Sequence, residues 1–184
     1  ALREIAFDLY QRLQPRDPVE LPVRVVDIDE ASLREVGQWP WPRNRLAVLI
    51  DRLTEMGAAA IALDLLLPEP DRLSPARIAE SLEGIADPAI LPDFDAALAA
   101  AIGRSTVVLG FADSPSSPAL PAAPKSGFAV SGVNPVAAVP RLRGAVLPLP
   151  QLADAAAGLG SLSLDATDSA DIVRRIPLLW SDGT

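Results

Sequence analysis

Apolar positions along the chain recur with two periods, and the switches between them divide it into elements. Leu2, Ile5, Ala6, Leu9 and Leu13 share one stripe of a helix over residues 2–13, with Arg3, Glu4, Asp8 and Arg12 off it. Such a stripe suits a helix packed on its own domain, or the end of a longer helix leaving a membrane. Pro15, Pro18 and Pro22 stop it. The β-branched run over 23–28 predicts a buried strand, with Asp27 and Asp29 at its end. A short helix, Glu30–Val36, follows and closes at Gly37. Trp39-Pro40-Trp41-Pro42-Arg43 is then stiff and extended, because proline fixes its own φ and restricts the residue before it. Asn44 is placed to cap a helix running to Met56, with Leu46, Leu49, Ile50 and Leu53 inward and Gly57 ending it.

Residues 58–67 are apolar on both faces apart from Asp64, the pattern of a parallel strand covered by helices. Strand, helix and strand over 23–67 predict a right-handed βαβ unit. Pro68-Glu69-Pro70-Asp71 leaves as a stiff acidic loop. Helical spacing returns over 75–83 and over 93–103, the latter with Asp93 as its cap, and 105–111 reads as a third strand after Gly103. Residues 113–126 hold four prolines and four serines and predict a surface loop. Phe128 to Val130 is a short strand in an irregular stretch, and 148–157 is a helix on Leu149, Leu152 and Ala156. Residues 158–164 and 172–180 then form a closing antiparallel pair. The fold class is therefore α/β: a mixed, partly parallel β-sheet flanked by helices, with an N-terminal helix and a C-terminal antiparallel strand pair.

The 184 residues suit a single domain, and 49% apolar with 22% charged residues is a globular balance. A net charge of −8 argues against duplex nucleic acid and against docking on anionic lipid through a basic face. Cysteine and histidine are both absent, which removes disulfides, thiolate chemistry and the commonest metal ligand and general base. Chemistry here rests on carboxylates, hydroxyls and arginines; Lys125 is the one lysine. No run of about 18 apolar residues is present to span a bilayer.

Asp27, Asp29 and Asp64 fall at the ends of two strands expected to be neighbours, where open α/β sheets bind ligands. They fit a hard cation or acid–base work, and equally fit capping helices or pairing with Arg43. Trp39 and Trp41 fit stacking on a ligand or stapling the loop to the core. The candidate ligand-binding set is Asp27, Asp29, Trp39, Trp41, Arg43 and Asp64, with no catalytic residue, metal or cofactor predicted. The apolar strand ending in Asp27-x-Asp29 also resembles the opening of haloacid-dehalogenase-type phosphatases. That pattern breaks at Ala31, where threonine or valine is required, and its supporting lysine would have to be Lys125 in the proline-rich loop.

A longer match is carried by Val26-Asp27-Ile28-Asp29-Glu30-Ala31-Ser32-Leu33, Gly37 and Trp39-Pro40-Trp41-Pro42-Arg43. It continues through Gly57-Ala58, the segment Ile61 to Leu67, Pro68-Glu69-Pro70, Asp95-Ala96-Ala97-Leu98 and Val107-Val108-Leu109-Gly110. These residues resemble the second class of the CHASE sensor families. Asp168 and Ile172-Val173-Arg174-Arg175-Ile176-Pro177-Leu178-Leu179 fit the family's closing pattern, although Ala170 and Asp171 replace its second aspartate and glycine. The resemblance implies a sensor domain over 1–184 lacking its last part, with 1–14 as a juxtamembrane-type helix. It implies an extracytoplasmic (periplasmic) domain of a bacterial inner-membrane receptor, flanked by membrane helices. The output inside the cell would be a nucleotide cyclase, histidine kinase or serine/threonine kinase. The implied partner is an unknown small-molecule or ion ligand. The alternatives are a protein-interaction or homodimerisation module without a small ligand, and a metal-assisted carboxylate hydrolase needing Asp27, Asp29 and Asp64 together.

Overall fold

A computed structural model describes the chain except residues 1, 18, 20, 82–86, 118, 121–124, 126–128, 130, 134–137, 164–175 and 182–184. The chain divides into two units, Ala1–Trp39 with Ala166–Arg174, and Pro40–Asp165 with Arg175–Thr184.

In the first unit, helix α1 (Leu2–Leu13) carries Glu4 in its first turn and Arg12 in its last, each complementing the helix dipole. Its predicted stripe is not buried: Ile5, Leu9 and Leu13 are 66%, 55% and 72% exposed. Residues 23–28 do not form the predicted strand. A strand needs a ladder partner for its amides and carbonyls, and none pairs with this run among the described residues. Val25 is 90% exposed, so β-branched composition alone did not make a sheet element here. Helix α2 (Glu30–Val36) is as predicted. Asp29 caps it, and Gly37 ends it at φ 110°, a backbone state that suits glycine.

The second unit is built on a four-stranded, largely parallel sheet. The central strand β2 (Val107–Asp113) has β1 (Ile61–Leu63) and β4 (Gly158–Ser161) parallel to it, and β3 (Ala145–Val146) antiparallel to its last residues. Val107, Leu109, Gly110 and Phe111 are all buried, so the strand is enclosed on both faces as its continuous apolar run requires. Five helices complete the described elements of this unit or the turns beside them: α3 (Arg43–Glu55), α4 (Pro75–Ser81), the 3-10 turn Pro88–Ile90, α5 (Phe94–Gly103) and α6 (Pro150–Ala155). α5 packs between α3 and α6. Its alanines let the neighbouring backbones approach, and Leu98, Ala101 and Ile102 are fully enclosed together with Ile50 of α3 and Leu152 of α6. A second cluster joins Phe111, Leu142 and Ala145 to Leu147, Leu159 and Trp180.

Several expectations change. Without a strand at 23–28, the βαβ unit over 23–67 is not formed. The parallel pairs instead join β1 to β2 across α4 and α5, and β2 to β4 across α6. β1 is shorter than predicted: after Leu63 the chain leaves the ladder, and the Leu67 carbonyl accepts the Leu149 N–H at 2.9 Å. Asn44 is not the cap of α3, which starts at Arg43 with Pro42 before it; the Asn44 Oδ1 is buried without a partner. The strand at 158–161 pairs in parallel with β2. Of its expected antiparallel partner, 172–175 lie outside the described residues and 176–180 form no strand. Phe128 and Val130 also lie outside the described residues, as do 118, 121–124 and 126 of the 113–126 loop.

Candidate functional site

The stiff Trp41-Pro42 entry delivers Arg43 to the first position of α3 in a fixed direction. Its backbone N–H, which no helical carbonyl can accept, donates to Asp71 Oδ2 at 2.7 Å. The guanidinium donates to Asp95 Oδ1 and to the carbonyl of Glu69. Asp71 in turn donates its N–H to Asp95 Oδ2 at 2.9 Å, and its Oδ1 accepts the Leu73 N–H at 2.9 Å. Arg43, Asp71 and Asp95 are all buried.

Three helix starts meet around these groups. Asp95 lies in the first turn of α5, whose cap Asp93 accepts the N–H groups of Asp95 and Ala96 at 2.9 and 3.3 Å. Ser74, fully buried just ahead of α4, donates its hydroxyl to the Pro92 carbonyl and accepts the Phe94 N–H, both at 3.1 Å. Two carboxylates thus balance one guanidinium plus the positive ends of the helix dipoles, which makes their burial tolerable. Every carboxylate oxygen of Asp71 and Asp95 has a donor. The chemistry of such a saturated network is to lock the entry of α3, the 68–74 loop and the start of α5 to one another.

The predicted site residues occupy different places. Arg43 is in this network. Trp41 is half-buried just before it, and Asp64 is exposed immediately after β1. Asp27, Asp29 and Trp39 belong to the other unit, where Asp27 is exposed and Trp39 half-buried. Asp29 accepts the Ser32 N–H at 2.8 Å and the Ser32 hydroxyl at 2.7 Å. Those bonds, the backbone one first, hold its carboxyl below the usual carboxylate range. Among the described residues no group of three or more acidic side chains is placed to hold a metal ion. Lys125 donates to the carbonyls of Ala153, Asp154 and Ala156, where a cation offsets the negative end of α6.

Sequence reasoning passed over Asp71 and Asp95 as the partners of Arg43, and Ser74 beside them. Asp71 read only as part of an acidic loop, and Asp95 only as part of a helix and of the family pattern. A signal was present in the doubled acid at the start of α5, Asp93-x-Asp95. One acid caps the helix; the second, in its first turn, is free to reach a distant arginine.

The second unit is an α/β fold with a helix-packed, largely parallel sheet and an internally saturated polar network. The chain belongs to the CHASE2 family: the model described as CHASE2 domain matches residues 1–183. CHASE2 is a sensory rather than a catalytic domain family. No curated protein and no solved structure matches the chain. None of the described helices is long and apolar enough to cross a membrane.

Proposed function

We propose that this chain is the signal-receiving input domain of a bacterial membrane receptor, placed outside the cytoplasm. Its state would govern a cytoplasmic nucleotide cyclase, histidine kinase or serine/threonine kinase. The observation that carries this reading is the match of the sensory-domain family across residues 1–183. The saturated Arg43–Asp71–Asp95 network supports it, because an input domain transmits ligand binding only if its scaffold holds shape while the reporting element moves. The test is output activity in membranes carrying the full receptor, compared with a receptor from which residues 1–183 have been removed. Loss of signal-dependent change, with basal output retained, is expected. Output that responds to signal equally with and without the domain would sink the reading.

A second reading, sensing through a protein partner or a second copy of the domain, is favoured by α1. Ile5, Phe7, Leu9, Tyr10 and Leu13 on that helix are each more than half exposed, an apolar surface of the kind that partners cover.

A further inference from the structure

We infer that the open cleft at Arg141 and Arg143, beyond the carboxyl end of the central strand, binds a small organic acid. Among the described residues the cleft is lined by Leu120, Arg141, Leu142 and Arg143 and has a volume of about 610 Å³, a size typical of small-molecule sites.

Its place follows from the register of the sheet. Ala145 stands opposite Asp113, the last residue of β2, and the Ser114 N–H donates to the Gly144 carbonyl at 2.9 Å. Residues 141–143 therefore run past the carboxyl end of β2, the end at which open α/β sheets bind ligands. Arg141 and Arg143 flank Leu142, and both are exposed whereas that leucine is only 5% exposed.

The backbone that carries them is held on two sides. The Leu142 N–H donates to the Ser181 carbonyl at 2.8 Å, and the Ser181 N–H to the Pro140 carbonyl at 2.9 Å. Next to Arg143, a Cβ built on Gly144 would lie 1.6 Å from the Ser117 carbonyl oxygen, so the 114–117 turn is seated directly against that glycine. A site held in this way loses little freedom when it binds.

Charge supplies the ligand class. The chain carries 24 acids against 16 bases. Arg43, Arg52, Arg77 and Arg104 each hold a carboxylate. Among the described residues Arg141 and Arg143 hold none, and two guanidinium groups lining one cleft repel each other. An anion between them relieves that repulsion, and the planar guanidinium fork matches a carboxylate. Leu120, 41% exposed, lines the same cleft. That pairing of forks with an apolar wall favours a carboxylate bearing an apolar group over inorganic phosphate.

As a statement of what the domain senses, this inference rests on the input-domain reading; as a binding site it stands alone. The test is isothermal titration calorimetry of the 184-residue chain with phenylacetate, hexanoate, hexanol and inorganic phosphate. Both acids are expected to bind saturably at one site, phosphate more weakly and hexanol not at all. Arg141→Gln and Arg143→Gln are each expected to weaken phenylacetate binding about tenfold, with unchanged thermal unfolding. Leu120→Ala should weaken phenylacetate while leaving phosphate as it was. No saturable binding of either acid, unaltered binding in the two arginine variants, or phosphate binding tighter than both acids would each overturn the site. If the acids bind yet leave receptor output unchanged, the site stands and only the sensing role assigned to it is lost. If output responds to signal while the acids fail to bind, the site falls and the input-domain reading survives.

Discussion

At the scale of single residues, the same carboxylate chemistry serves two different ends. Asp29 sits at a helix start on the surface, where the Ser32 N–H and hydroxyl favour its ionised form. Its midpoint is depressed, so its support of α2 is complete above the ordinary aspartate pKa and is lost as pH falls through the lower folded value. Carboxyl-carbon NMR titration should therefore place the Asp29 midpoint below the ordinary aspartate value, and Ser32→Ala should move it part of the way back. An Asp29 midpoint at the ordinary aspartate value would mean the cap does not form. Asp95 is buried and answers to Arg43, with side chains 4% and 10% exposed. Removing one partner strands the other as an uncompensated buried charge. Arg43→Met and Asp95→Asn should each cost about 3–5 kcal/mol in urea unfolding. The double variant should cost clearly less than the two together, because the residues share one interaction. Additive losses would show that the pair is not coupled.

At the scale of elements, two glycines separate backbone strain from steric room. Gly57 ends α3 at φ 91° with nothing within 4 Å of a Cβ placed on it. Gly57→Ala should cost about 1–2 kcal/mol, the conformational penalty alone. Gly144 precedes β3 and has the carbonyl oxygens of Ser117 and Ser114 at 1.6 and 2.6 Å from an added Cβ. These are backbone atoms and cannot swing aside, so Gly144→Ala should cost about 3 kcal/mol or more and free the 114–117 turn. Thermal unfolding of the two variants side by side checks the ordering; equal losses would contradict the seating of that turn. The cap of α5 offers a milder comparison. Asp93→Ala removes two accepted N–H bonds at the surface and should cost about 1 kcal/mol.

At the scale of the whole molecule, the question is what covers the apolar side chains of α1 and what fills the cleft of the second unit. A domain that senses by pairing should sediment as a concentration-dependent dimer, and Leu9→Glu with Leu13→Glu should abolish it while leaving the fold of residues 40–165 intact. A domain that senses a small ligand should stay monomeric at micromolar concentration and gain thermal stability as the ligand is added. The net charge of −8 sharpens the contrast, since like-charged copies approach each other only against repulsion.

Local rules read correctly at several helix ends, although Asn44 did not cap α3. Glycine at positive φ ends α2 and α3, and Asp93 caps α5; each follows from sterics or hydrogen bonding within a few residues. The family signature was legible for the same reason, being a contiguous pattern from Val26 to Arg43. What required the tertiary structure was every choice of a distant partner. Whether 23–28 became a strand depended on a neighbour to pair with. Whether Arg43 met Asp27, Asp64 or Asp95 depended on which loop crossed the start of α3, 52 residues away along the chain in the case of Asp95. Propensity and spacing fix what a segment can do alone. Hydrogen-bond and charge partners are decided by which segments the packed sheet and helices bring together, and that information is spread over the whole chain.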